Sequence, residues 1–164
     1  MTASELFAPP TENWVPLSPR YVPLLRLGTA VSWGILATLV VVPLVFFVDR
    51  NVALLVLGGF LLVLVWRVIR QGAIARAWGY AERETDLYIK AGIIRRRLTV
   101  IPYGRMQAVE VTAGPLERAF NVSTVKLVTA SAQSDARIPG LEPQAAAELR
   151  DRLTERGETQ AAGL

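Results

Sequence analysis

Residues 27–48 read LGTAVSWGILATLVVVPLVFFV, a run of 22 residues without one charged side chain. As a helix this run rises about 33 Å at 1.5 Å per residue. A bilayer core about 30 Å thick needs about 20 apolar residues, so the run is long enough to span. Asp49, Arg50 and Asn51 interrupt it and read as a short polar turn. A second apolar run follows from Val52 to Trp66, and reaches Ile69 if the Arg67 guanidinium extends back toward the headgroups. That stretch rises about 27 Å, enough for a second crossing. The expectation is a tight transmembrane helical hairpin over residues 24–70. Trp33 lies inside the first run, whereas Tyr21, Trp66 and Trp78 lie near the expected edges, where aromatic rings are favoured. Pro43 should kink the first helix modestly. The first run begins too far from Met1, and is too long, for a signal peptide.

The remaining residues suffice for one small domain. Hydrophobic residues make up 52% of the 164-residue chain, with a mean hydropathy of +0.34, and the apolar excess is concentrated in the hairpin. The chain has no Cys and no His. Disulfides, thiolate metal sites and imidazole-based acid–base or metal chemistry are therefore excluded, and no catalytic residue, metal or cofactor is expected. The hydroxyls Ser123, Thr124, Ser131 and Ser134 have no His for a Ser-based triad.

The net charge of +4 is unevenly distributed. Residues 1–66 balance three basic groups against three acidic ones, and residues 106–164 carry six against eight. Residues 67–105 carry nine basic groups against Glu82, Glu84 and Asp86. A basic block directly after a membrane span points to anionic lipid headgroups. Nucleic-acid binding would need exposed aromatics between the charges, and residues 83–105 offer only Tyr88 and Tyr103, so no nucleic-acid partner is expected. Arg20 and Arg26 precede the hairpin and Arg67, Arg70 and Arg76 follow it, while the connecting turn has Arg50 offset by Asp49. The positive-inside rule then puts both termini in the cytoplasm of a multi-pass cell-membrane protein. Ala30 with Gly34, and Gly58 with Gly59, are small enough to let helices approach, first of all within the hairpin and otherwise in an oligomer.

Past Arg76 the pattern changes to short alternating segments. Leu87 and Ile89 lead into an Ala91-Gly92 turn, with residues 93–101 as the return strand. Residues 108–112 read as another strand, ended by Gly114-Pro115, and Pro115 suits the start of a short helix over 116–120. Residues 123–130 alternate, with Val125, Leu127 and Thr129 on one face and Lys126 and Val128 on the other. Residues 136–138 make a short strand before Pro139-Gly140. A terminal helix runs to about Arg156, with Ala145, Ala146, Leu149 and Leu153 on one side. The pattern describes a bent antiparallel sheet covered by that helix, over residues 71–156. Residues 157–164 are expected to be a disordered tail. Residues 1–23, with Trp14 and Pro9, Pro10, Pro16 and Pro19, are expected to be an extended segment, first of all a plain linker and otherwise a segment that docks on the domain or a partner.

Three runs carry a family resemblance: Ile101-Pro102-Tyr103-Gly104-Arg105-Met106-Gln107-Ala108-Val109, Gly114-Pro115-Leu116-Glu117-Arg118, and Val125-Lys126-Leu127-Val128-Thr129-Ala130. Together they resemble the bacterial pleckstrin-homology-like membrane proteins (the YdbS-like family). That family's pattern is a strand ending in Ile-Pro, a basic-Ile-Gln-x-Val step, a Gly-Pro-Leu-x-Arg turn and a Thr-Ala strand end. Met106 replaces the usual Ile, while Ser131 and Asn121 stand where Gly is common. The resemblance covers nearly the whole chain. It implies a PH-like barrel capped by the terminal helix, and a second, larger membrane protein with repeated PH-like domains as partner.

Arg95-Arg96-Arg97 is the sharpest local feature. On a strand, Arg95 and Arg97 would point one way and Arg96 the other. Lys90, across the expected turn, and Arg105 would complete a basic surface for membrane lipids or a partner. Glu82, Glu84 and Asp86 would share one face of a strand and read as a solvated face rather than a cation site. The leading functional expectation is a non-enzymatic interaction module, a subunit of a larger membrane assembly. A reader of anionic lipid headgroups is the alternative.

Overall fold

The computed structural model describes residues 13–129 and 136–162. The expectations placed on residues 1–12, Ala130, Ser131, Ser134 and the last two positions lie outside the described residues. Val22–Ala73 forms one compact unit, and the rest of the described chain forms another.

The first unit is a pair of helices, α1 (Tyr21–Phe47) and α2 (Arg50–Arg76), of 27 residues each. Both are long and apolar enough to cross a membrane. The turn is tighter than the Asp49-Arg50-Asn51 reading. Asp49 Oδ1 accepts the Asn51 N–H at 2.6 Å and caps α2, which puts Arg50 and Asn51 inside the first helical turn. The helices run antiparallel. Gln71 Nε2 donates to Thr29 Oγ1 at 2.7 Å, Trp33 packs against Phe60 with ring centroids 5.7 Å apart, and the Arg67 guanidinium lies 5.2 Å from the Trp33 ring. The second helix therefore continues through Arg67, whose charge faces an indole of α1. Ala53 is buried in this pair, but a side chain at Gly28, Gly34, Gly58 or Gly59 would meet nothing within 4 Å. These glycines do not pack the hairpin against itself.

The second unit holds two antiparallel sheets. β1 (Val15–Pro16), β2 (Gly79–Glu82), β3 (Asp86–Ala91) and β4 (Arg97–Pro102) form the first in that order. β5 (Met106–Thr112), β6 (Ser123–Thr129) and β7 (Ala136–Leu141) form the second. The alternation expected on β6 is present: Val125, Leu127 and Thr129 are buried and Lys126 is exposed. Between β5 and β6 lies α3 (Pro115–Ala119), whose Glu117 accepts from the Gly114 N–H at 2.7 Å and from Thr124 Oγ1 at 2.7 Å. Asn121, which stands where the resemblance has Gly, adopts a φ of 53°. Among non-glycine residues Asn tolerates that region best, which accounts for both choices.

The terminal helix, α4 (Pro143–Ala162), continues past the expected stop at Arg156. Ala146, Leu149 and Leu153 seal the core over Leu87, Ile101, Tyr103, Val125, Leu127 and Ile138. Beyond Gly157, Gln160 Oε1 accepts the Gly104 N–H at 3.2 Å, a tertiary contact that helps hold the extra turn. Glu82 is not on a shared carboxylate face. Glu84 lies in the β2–β3 turn, and Glu82 reaches Arg152 at 2.8 Å and Arg156 at 3.5 Å on α4. Tyr103 is fully buried in a single 3-10 turn (Tyr103–Arg105). Its hydroxyl donates to the Arg83 carbonyl at 3.0 Å and accepts from Arg156 at 2.9 Å.

The segment before the hairpin is not a plain linker. Val15 pairs with Tyr80 and Pro16 with Gly79, Leu17 enters the core, and the Ser18 N–H donates to the Gly140 carbonyl at 2.9 Å.

Candidate anion-binding cleft

The basic run is where structure and expectation part. Residues 93–96 do not continue the return strand: Ala91 pairs with Arg97, so residues 92–96 form the loop that joins β3 to β4. Gly92 causes this. Its φ is +92°, and a Cβ there would collide with the Arg95 carbonyl oxygen, so the chain reverses later and more widely than a tight Ala91-Gly92 turn. Off a strand, the strict alternation of side chains no longer applies.

Arg95, Arg96 and Arg97 consequently line one cleft of about 1280 Å³. Its near wall includes Ile89, Ala91 and Thr99 from the ends of β3 and β4, together with Gly92 and Ile94 of the loop. Its far wall comes from the second sheet, with Thr112 of β5, Thr124 and Lys126 of β6, and Ala136 and Arg137 of β7. Register explains the far wall. Lys126 stands opposite Arg137 on one side and Glu110 on the other, while Thr112 stands opposite Thr124. Directly opposed residues have Cβ atoms about 5 Å apart, so two cations and two hydroxyls are gathered on a small area.

Five cationic side chains thus border one cleft. Lys126 has Glu110 at 4.0 Å, an exposed and weak pair. Arg95, Arg96, Arg97 and Arg137 have no carboxylate partner among the described residues. Among the described residues the cleft lining contains no Asp, Glu or Tyr, and it offers guanidinium forks, an ammonium and hydroxyls.

Two residues expected in this site lie elsewhere. Lys90 points away from the Ile89–Ala91 side of β3, and its ammonium lies 4.3 Å from the centroid of the Trp14 ring. Burial there pushes its pKa down. Arg105 ends the 3-10 turn at the opposite end of the β3–β4 hairpin, beyond Pro102, which pairs with Asp86. Conversely, Lys126, Arg137, Thr99, Thr112 and Thr124 belong to the cleft and were not among the residues expected there. Their only local signal was that Lys126 falls on the face opposite Val125 and Leu127.

The sequence model described as "Bacterial PH domain" matches residues 23–157, most of the chain and both of its structural units. The chain belongs to that family. This PH-like protein is also 31% identical over 102 residues to the UPF0699 transmembrane protein YdbS of Bacillus subtilis (strain 168). The match covers 62% of the chain and spans 60% of that relative's length. No solved structure matches. With two span-length apolar helices and a relative described as transmembrane, the protein is a membrane-associated PH-like module of the bacterial type.

Proposed function

We propose that this PH-like module crosses the membrane twice, faces the cytoplasm with its sheet domain, and holds anionic lipid headgroups in the basic cleft. One observation carries the reading: Arg95 and Arg96 of the loop and Arg97 at the start of β4 converge with Lys126 and Arg137, and the four arginines lack carboxylate partners among the described residues. Unneutralised like charges repel, and a phosphate relieves that repulsion while accepting from guanidinium forks and threonine hydroxyls. Each cation near a lipid phosphate contributes about 1 kcal/mol. The pairing of β1 with β2 supports the topology, because residues on both sides of the hairpin must share one face of the membrane. Positive flanks on that face argue for the cytoplasm. The role in this reading is non-enzymatic binding, matched to the guanidinium, ammonium and hydroxyl groups that line the cleft.

The test is a titration of the full chain, in neutral detergent, with fluorescent phosphatidylglycerol and phosphatidylcholine followed by anisotropy. The wild type should prefer the anionic lipid, and the Arg95→Gln/Arg97→Gln variant should lose that preference. Equal binding of both lipids by the wild type would end the headgroup reading. The full chain is required because Leu17, ahead of the hairpin, is part of the core.

A second reading, a subunit of a larger membrane assembly, draws on the open glycines. Gly28, Gly34, Gly58 and Gly59 offer close approach to a helix from outside the hairpin. Co-purification of a second membrane protein in mild detergent, lost on Gly34→Leu and Gly58→Leu, would support it.

A further inference from the structure

We propose that the tip of the β3–β4 loop enters the lipid interface with Ile93 and Ile94 while the arginines behind them hold phosphates. This rests on the reading of the cleft as a headgroup site. Ile94 is 81% exposed and Ile93 38%. Among the described residues outside α1 and α2, no other large apolar side chain is as exposed as Ile94. Ile93 and Ile94 are neither in the buried core of the sheet domain nor among the half-buried side chains packed against it.

The order of residues along the loop matters. Gly92 turns the chain outward, Ile93 and Ile94 follow, and Arg95, Arg96 and Arg97 return it to β4. Apolar side chains followed directly by cations match the boundary of a bilayer, where hydrocarbon gives way to phosphate over a few ångströms. A protein partner would need an acidic surface around an apolar pocket of one or two side chains. A lipid interface supplies both layers without such a pocket. Gly79, the first residue of β2, pairs with Lys90, so the β3–β4 loop lies at the end of the sheet where β2 begins.

The absence of cysteine makes a clean test available. An Ile94→Cys variant carries a single thiol for an environment-sensitive fluorophore. The full chain is reconstituted in vesicles of phosphatidylcholine alone or mixed with phosphatidylglycerol. The expected result is a blue shift in the mixed vesicles, with quenching by lipids that carry a nitroxide just below the headgroup. High salt should reverse both. The same label on Glu84→Cys, in the β2–β3 turn, should stay in water. A label at position 94 that stays in water in every vesicle overturns the insertion. If the detergent titration still shows anionic preference, only the insertion fails and the apolar tip is left as a protein contact. If that preference is absent too, the headgroup reading fails with it.

Discussion

Val15 stands opposite Tyr80 in an antiparallel pair, although 64 residues and both apolar helices separate them in the chain. The sheet domain is therefore built from both sides of the hairpin, and its edge strand is supplied by the segment that enters α1. Leu17 follows directly and is 8% exposed within the core. The segment is part of the fold, and it links the membrane topology to the integrity of the domain.

Shortening Leu17 should show this. Leu17→Ala removes buried methyl groups and should cost about 2–3 kcal/mol of sheet-domain stability. Denaturant unfolding of the full chain in detergent, followed by near-UV circular dichroism, measures it. A loss below about 0.5 kcal/mol would mean that the segment is only loosely attached.

The β1–β2 pairing also constrains sidedness. Single thiols at Ser18 and at Thr154 should react from the same side of the membrane, and one at Asn51 from the other. In intact cells a membrane-impermeant maleimide should label only position 51. Labelling of position 18 without position 154, or the reverse, would contradict the shared sheet, and labelling of both but not of position 51 would reverse the orientation.

Alkaline pH probes the core. Burial raises the pKa of both Tyr80 and Tyr103 above the ordinary tyrosine value of 10.0. A raised folded pKa means that the native state keeps its proton where the unfolded chain loses it, so stability is complete below about pH 10 and falls as pH rises toward the folded values. Lys90, whose pKa burial lowers, acts in the opposite sense only below its unfolded value. The Tyr103→Phe variant should lose about 1 kcal/mol at neutral pH, through the bonds to Arg83 and Arg156, yet show a shallower decline above pH 10. Parallel pH profiles for the two proteins would contradict the assignment.

The features that were legible in the sequence are local ones. A charge-free run of helical length and the period-two alternation around Val125 and Leu127 depend on neighbours in the chain, and both hold in the structure. The cleft depends on relations the chain does not display. Residues 93–96 look like a strand by composition, yet they follow the positive φ at Gly92 and lie in a loop. Lys126 and Arg137 meet because β6 and β7 pair in one register, and a shift of one residue would separate them. The α4 extension was hidden by Gly157, a poor helix former on which contacts from Gly104 and Gln160 prevail. Two residues, Val15 and Pro16, are too few to announce a strand.

The central claim, that the cleft and not general basicity binds lipid phosphate, is tested by removing the same charge from two places. The Arg97→Gln/Arg137→Gln variant empties the cleft of two cations, whereas Lys90→Gln/Arg105→Gln removes two that lie outside it. At about 1 kcal/mol per cation, the first pair should weaken phosphatidylglycerol binding by the full chain about 30-fold. The second should leave it within about twofold of the wild type. Equal losses in both variants would show that only overall charge matters and would contradict the account.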